Sequence, residues 1–104
     1  MNFFLTYITT KNEKEALTLA NLAIQKNLAA CGNIFPKIKS IYKWQNKLQN
    51  DNETLLILKT NSNKYPLLEK LILEKHSYEV PCILKIPISD GNKEYLKWVN
   101  DSLI

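Results

Sequence analysis

Extended and helical periodicities alternate along this chain in the order β-α-β-β-α-β, and few single-domain architectures accommodate that order. Phe3-Phe4-Leu5-Thr6-Tyr7-Ile8-Thr9 is β-branched and aromatic and reads as a buried first strand. Thr10 and Glu13 have the spacing of a capping box, and Ala16, Leu19, Ala20 and Ala23 then recur at helical spacing. Ala29 to Trp44 is a long extended segment in which Gly32 and Pro36 suit a bulge or bend. Beyond the bend, Ile38, Ser40, Tyr42 and Trp44 share one face, and Lys37, Lys39, Ile41 and Lys43 share the other. Gln45-Asn46-Lys47 supplies a turn. Glu53 to Thr60, with Leu55-Leu56-Ile57-Leu58 at its centre, is the clearest buried strand. Ser62 to Lys75 is a second helix with Pro66 near its first turn, and Val80 to Pro87 a last strand. Asp90-Gly91-Asn92 turns into a short terminal helix over Lys93 to Ser102.

Two helices that each cross over between strands give an antiparallel sheet backed by helices, which is an α+β, ferredoxin-like sandwich with a short C-terminal helix. With 104 residues the chain fits a single domain over 1–104. No apolar run approaches the roughly 20 residues that span a bilayer, and Met1-Asn2-Phe3-Phe4 opens without a basic, signal-like region. These features predict a cytoplasmic protein with no membrane partner. The net charge of +4 comes entirely from lysines; there is no arginine. Specific phosphate or base readout favours the planar guanidinium fork, so the charge does not point to nucleic acid. Cys31 and Cys82 lie in different predicted strands and form no CxxC pair, which suits free thiols better than a disulfide.

The chemistry-bearing residues gather in two places. His76-Ser77-Tyr78-Glu79-Val80-Pro81-Cys82 holds the single histidine, a phenol, a carboxylate and a thiol. Upstream lie Leu28-Ala29-Ala30-Cys31-Gly32-Asn33 and Ser40-Ile41-Tyr42-Lys43-Trp44. His76 and Cys82 are candidate ligands for copper or another divalent metal, since imidazole and thiolate both suit copper. The alternative for His76 is a helix-end imidazole bonded to terminal carbonyls. Glu79 is either a base or polar anchor in a cleft, or a structural carboxylate. Tyr42, Trp44, Tyr78 and Trp98 form either a ligand platform or a protein interface, and interfaces favour such aromatics.

These stretches, together with Leu56-Ile57-Leu58-Lys59-Thr60, Gly91-Asn92 and Tyr95-Leu96-Lys97-Trp98, resemble the CutA family of divalent-cation tolerance proteins over essentially the whole chain. His76-Ser77-Tyr78-Glu79-Val80-Pro81 is similar to that family's His-Pro-Tyr-Glu-Val-Pro signature. The resemblance implies a homotrimer architecturally like the PII signalling proteins. It also implies a link to copper and other divalent metals, and inter-subunit clefts lined by Lys59, Tyr78, Glu79, Trp44, Tyr42 and Asn33. It supplies no enzyme reaction and no organic cofactor, so the chain is expected to be a metal- or small-ligand-responsive binding or signalling protein. This sequence has Ser77 where the signature has proline, and Cys82 where an acidic residue is common. Gln45-Asn46 replaces a Glu-Gly turn, and Ile8 stands where some members carry a metal-linked cysteine.

Two other functions share the topology. An acylphosphatase-like hydrolase would want an arginine to clamp phosphate, and the chain has none. An RNA-binding module would want aromatic residues on a central strand, where this chain has Leu55-Leu56-Ile57-Leu58.

Overall fold

A computed structural model describes residues 2–104. Four strands and three helices follow in the order β1 (Phe3–Thr10), α1 (Glu13–Gln25), β2 (Cys31–Trp44), β3 (Lys47–Asn61), α2 (Tyr65–Lys75), β4 (Ile83–Ile88) and α3 (Lys93–Ser102). The strands form one antiparallel sheet in the order β2-β3-β1-β4. This is the expected ferredoxin-like α+β arrangement.

Period-two alternation decides which residues face the helices. Phe4, Thr6, Ile8 and Thr10 of β1 and Thr54, Leu56, Leu58 and Thr60 of β3 are buried on one face. The core forms where Ile8, Leu56 and Leu58 meet Ala16, Leu19, Ala20 and Ala23 of α1 and Leu68, Leu71 and Ile72 of α2. The alanines let α1 lie close on the sheet, and a Cβ at Gly32 would lie 3.5 Å from Ala20 Cβ of α1. A Cβ there would come within 2.9 Å of Leu58 Cδ2. Gly32 is therefore needed for space within a regular strand. The bend that the sequence assigned to Gly32 or Pro36 falls at Pro36 and Lys37, where the register with β3 shifts between Phe35 and Ile38 and Lys37 has φ 61°.

The other sheet face is uncovered along most of its length. Leu5, Tyr7, Leu55 and Ile57 lie there, flanked by Phe35, Leu84 and Ile86, which are exposed. Among the described residues only α3 crosses one end of it, where Val99 and Leu103 pack with Phe3 and Ala30. Beyond the bulge, β2 and β3 continue as a two-stranded arm to a tight turn in which Gln45 (φ 51°) and Asn46 (φ 62°) are both left-handed. Two successive positive φ values are the requirement of a type I′ hairpin. The arm stretches the molecule to 45 × 25 × 22 Å and its radius of gyration to 14.3 Å. A compact chain of this length has about 13 Å.

Helix starts depart from the sequence expectation. Asn12, two residues after Thr10, caps α1 by accepting from the Glu15 N–H at 2.8 Å. The Thr10 hydroxyl bonds the Thr54 and Asn12 carbonyls instead, because the strand carries it into the buried face. The second helix begins at Tyr65, three residues after Ser62, with Asn61 Oδ1 accepting from Lys64 N. The last strand starts at Ile83, leaving Val80–Cys82 as a connecting segment.

Candidate functional site

The end of α2 organises the signature segment. His76 terminates the helix with extended backbone while its N–H still bonds the Ile72 carbonyl. Its ring is held at both nitrogens: Nδ1 accepts from the Tyr78 N–H at 3.0 Å, and Nε2 lies 2.8 Å from the Thr9 carbonyl. A carbonyl only accepts, so Nε2 carries the proton and the imidazole is fixed as that tautomer. The adjoining Ser77 N–H donates to Glu15 at 2.8 Å, and the other Glu15 oxygen accepts from the Lys11 N–H. Burial pushes the Glu15 carboxyl upward, but bonds from Ser77 and Lys11, with the nearby His76, outweigh it and hold the carboxyl below its ordinary range.

With its backbone pinned by His76, Tyr78 tilts its ring against the imidazole at 4.8 Å and donates its hydroxyl to Glu53 at 2.7 Å. Burial first, and then the Glu53 carboxylate, push the Tyr78 phenol well above its usual range, so it stays a donor. Farther out on the arm the Tyr42 hydroxyl donates to Asp51, which raises the Tyr42 phenol as well. Tyr42 and Trp44 share a face with Gln49, Asp51 and Glu53 because Tyr42 pairs with Gln49 and Ser40 with Asp51.

That arm face and the Tyr78–Cys82 segment enclose a groove of about 700 Å³. Tyr42, Trp44, Tyr78, Glu79 and Cys82 line it, as do Asp51, Glu53, Gln49 and Thr9. Glu79 and Val80 are exposed at its rim, and Cys82 is a half-buried free thiol. Five residues proposed from sequence thus meet in one chain. His76 supports the site from behind Tyr78.

Lys59 and Asn33 do not join them. Lys59 lies six residues from Glu53 on β3, about 20 Å at the strand rise. There Lys59 Nζ donates to the Tyr95 hydroxyl at 3.0 Å, and Cys31 Sγ lies 3.6 Å from the same oxygen. The Tyr95 bond raises the Lys59 ammonium above its ordinary range, against the opposing effect of burial. Asn33 pairs with Ile57 and is exposed on the uncovered face, between the two clusters.

The residues proposed as metal ligands do not assemble a site within one chain. A metal at His76 would have to displace Thr9 or Tyr78 from the ring. Among the described residues no three His, Cys, Asp or Glu side chains lie close enough to hold an ion. Asp51, Glu53 and Glu15 went unnoticed in the sequence. The signal for the first two was available: Gln49, Asp51 and Glu53 continue the two-residue period opposite Tyr42 and Trp44.

The family model of the CutA1 divalent ion tolerance protein matches residues 4–102. The chain is 41% identical over 95 residues to the divalent-cation tolerance protein CutA of Thermus thermophilus, covering 91% of this chain and 92% of that relative. It is 43% identical over 95 residues to a CutA homolog of Xenopus laevis, covering 91% of this chain and 63% of that protein. Against the mouse and human relatives it spans about half their length. Among solved structures, CutA1 from Oryza sativa superposes with a TM-score of 0.96 at 38% identity, covering 100% of this chain and 95% of that one.

Proposed function

This chain belongs to the CutA1 divalent ion tolerance family, and from that premise we propose that it works as a homotrimeric binding or signalling protein responsive to copper or a small ligand. The observation that carries this reading is the uncovered sheet face with its arm. Leu84, Ile86 and Phe35 expose apolar side chains beside Leu5, Tyr7, Leu55 and Ile57. A contiguous apolar patch of this kind marks an association surface. The projecting arm leaves outer backbone groups for a neighbouring chain.

Assembly also completes the site. Within one chain the groove residues and Lys59 lie at different ends of one face, with Asn33 between them, so packing such faces together brings one copy's Lys59 toward another's Tyr78 and Glu79. The divalent-cation link is then carried by ligands that copies supply jointly, Cys82 among them. His76 acts in positioning Tyr78. The metal is a ligand of the protein, with no organic cofactor, no catalytic step, no nucleic acid and no membrane partner. No helix among the described residues is long and apolar enough to cross a membrane. Free Cys31 and Cys82 fit a reducing, cytoplasmic setting.

A native mass spectrum of protein purified without chelator tests this reading. It should show three chains, with retained copper or a small ligand lost in Cys82→Ser. A single-chain species, or equal copper retention by wild type and Cys82→Ser, would overturn it.

A further inference from the structure

The turn that joins β4 to α3 brings a carboxyl group onto a backbone nitrogen. Succinimide formation closes a five-membered ring when a backbone nitrogen attacks the side-chain carbonyl carbon of the preceding Asp or Asn. A following glycine favours it, because no Cβ shields the nitrogen or restricts the backbone. The chain has two glycines, and only Gly91 follows an Asp or Asn. Asp90 and Gly91 are exposed and lie outside any helix or strand. The Gly91 N–H donates to Asp90 Oδ1 at 2.8 Å, so the carboxyl group is already folded onto the nitrogen that would attack it. The other two aspartates are held differently. Asp51 lies in β3 and accepts from Tyr42, and Asp101 lies in α3 and pairs with Lys97. Each of these carboxylates is engaged elsewhere, and a regular strand or helix resists the backbone rotation that ring closure needs.

We propose that Asp90–Gly91 is a site of spontaneous isoaspartyl formation, and that the product loosens the start of α3. Gly91 N bonds to Asp90 Cγ, while its proton and the carboxyl hydroxyl leave together as water. Water then adds back at one of the two imide carbonyls. Opening at Cγ restores Asp90. Opening at the Asp90 main-chain carbonyl leaves Gly91 attached through Cγ, an isoaspartyl link with an extra methylene in the main chain. The reaction uses only atoms of this turn and water, so it is the same in one chain and in any assembly of copies. The added length falls two residues before Asn92, whose side chain caps α3 by accepting from the Tyr95 N–H at 2.9 Å. Tyr95 in that first turn also holds Lys59 Nζ at 3.0 Å, so a displaced cap is felt at Lys59.

Ageing the purified full chain for several weeks at physiological temperature in mildly acidic buffer tests it. Peptide mapping with electron-transfer fragmentation distinguishes isoaspartyl from aspartyl links of equal mass. The isoaspartyl link should accumulate at position 90 at least about tenfold faster than at Asp51 or Asp101. Gly91→Ala should slow it by at least about fivefold. The added Cβ would meet Leu96 at 3.5 Å, an ordinary contact, and Gly91 has no positive φ, so the variant keeps the turn. Asp90→Glu, which would have to close a six-membered ring, should give no measurable product and serves as the second control. In the isoaspartyl fraction, amide hydrogen exchange at Tyr95 and Leu96 should quicken by about threefold to tenfold over unaged protein. No isoaspartyl link at position 90, a rate equal to that at Asp51 and Asp101, or an unchanged rate in Gly91→Ala overturns the assignment. Unchanged exchange at Tyr95 and Leu96 in the modified fraction overturns the loosening of α3.

Discussion

His76 shows how a side chain suited to metal chemistry is committed elsewhere by geometry. One nitrogen holds the Thr9 carbonyl of β1 and the other the Tyr78 amide, so the ring ties the sheet to the segment that presents Tyr78 and Glu79. Glu15 makes a parallel tie through Ser77 and Lys11. Its folded carboxyl is held below the ordinary range, so protonation favours unfolding. The stabilisation is complete above the ordinary carboxylate range and is lost as pH falls through the lowered folded value. Glu15→Gln should cost about 0.5–1 kcal/mol near neutrality, allowing for its partial exposure, and should flatten the acid side of a stability–pH profile. Denaturant unfolding across pH checks both. Thr6 gives the opposite case. It is fully buried, and its hydroxyl alone among the described buried side-chain N and O atoms lacks a partner. Thr6→Val should stabilise the fold by about 1 kcal/mol, read as a higher midpoint with an unchanged denaturant slope.

At the level of elements, what was legible in the sequence is what periodicity carries. The two central strands as buried strands, the apolar stripe of α1 and the span of α3 follow from residue type and spacing, whereas the helix-facing side of those strands does not, because Phe3, Leu5, Tyr7, Leu55 and Ile57 make the other side apolar as well. Helix caps were not legible. Thr10 and Asn12 are both sound N-caps, and only the sheet, by claiming the Thr10 hydroxyl, decides between them. The candidate site divides similarly. Tyr42, Trp44, Tyr78, Glu79 and Cys82 stand out by residue type, whereas Asp51 and Glu53 matter only because the hairpin register sets them opposite the aromatics. That register depends on the tight turn. Asn tolerates the left-handed conformation and a β-branched residue does not, so Asn46→Ile should loosen the arm by about 1–2 kcal/mol. Amide hydrogen exchange should then quicken by about fivefold to thirtyfold in 38–51 and stay unchanged in the centre of β1.

The whole molecule carries two faces of unequal fate. The helix-covered face builds a core of Ile8, Leu19, Leu56, Leu58, Leu68 and Ile72 that suffices for one folded domain. The opposite face keeps Leu84 and Ile86 exposed beside the inner residues of β1 and β3, and the arm reaches past it. Burying that face between copies would remove the exposed apolar surface and bring the separated Lys59 and Tyr78 clusters together. The site and the assembly are one claim in this account. Light scattering on the size-exclusion peak at micromolar concentration measures it most directly, with wild type compared against Leu84→Asp. The wild-type mass should be that of three 12.1 kDa chains, and the variant, whose added charge sits in the proposed interface, should shift toward single chains. A wild-type mass of one or two chains would contradict it.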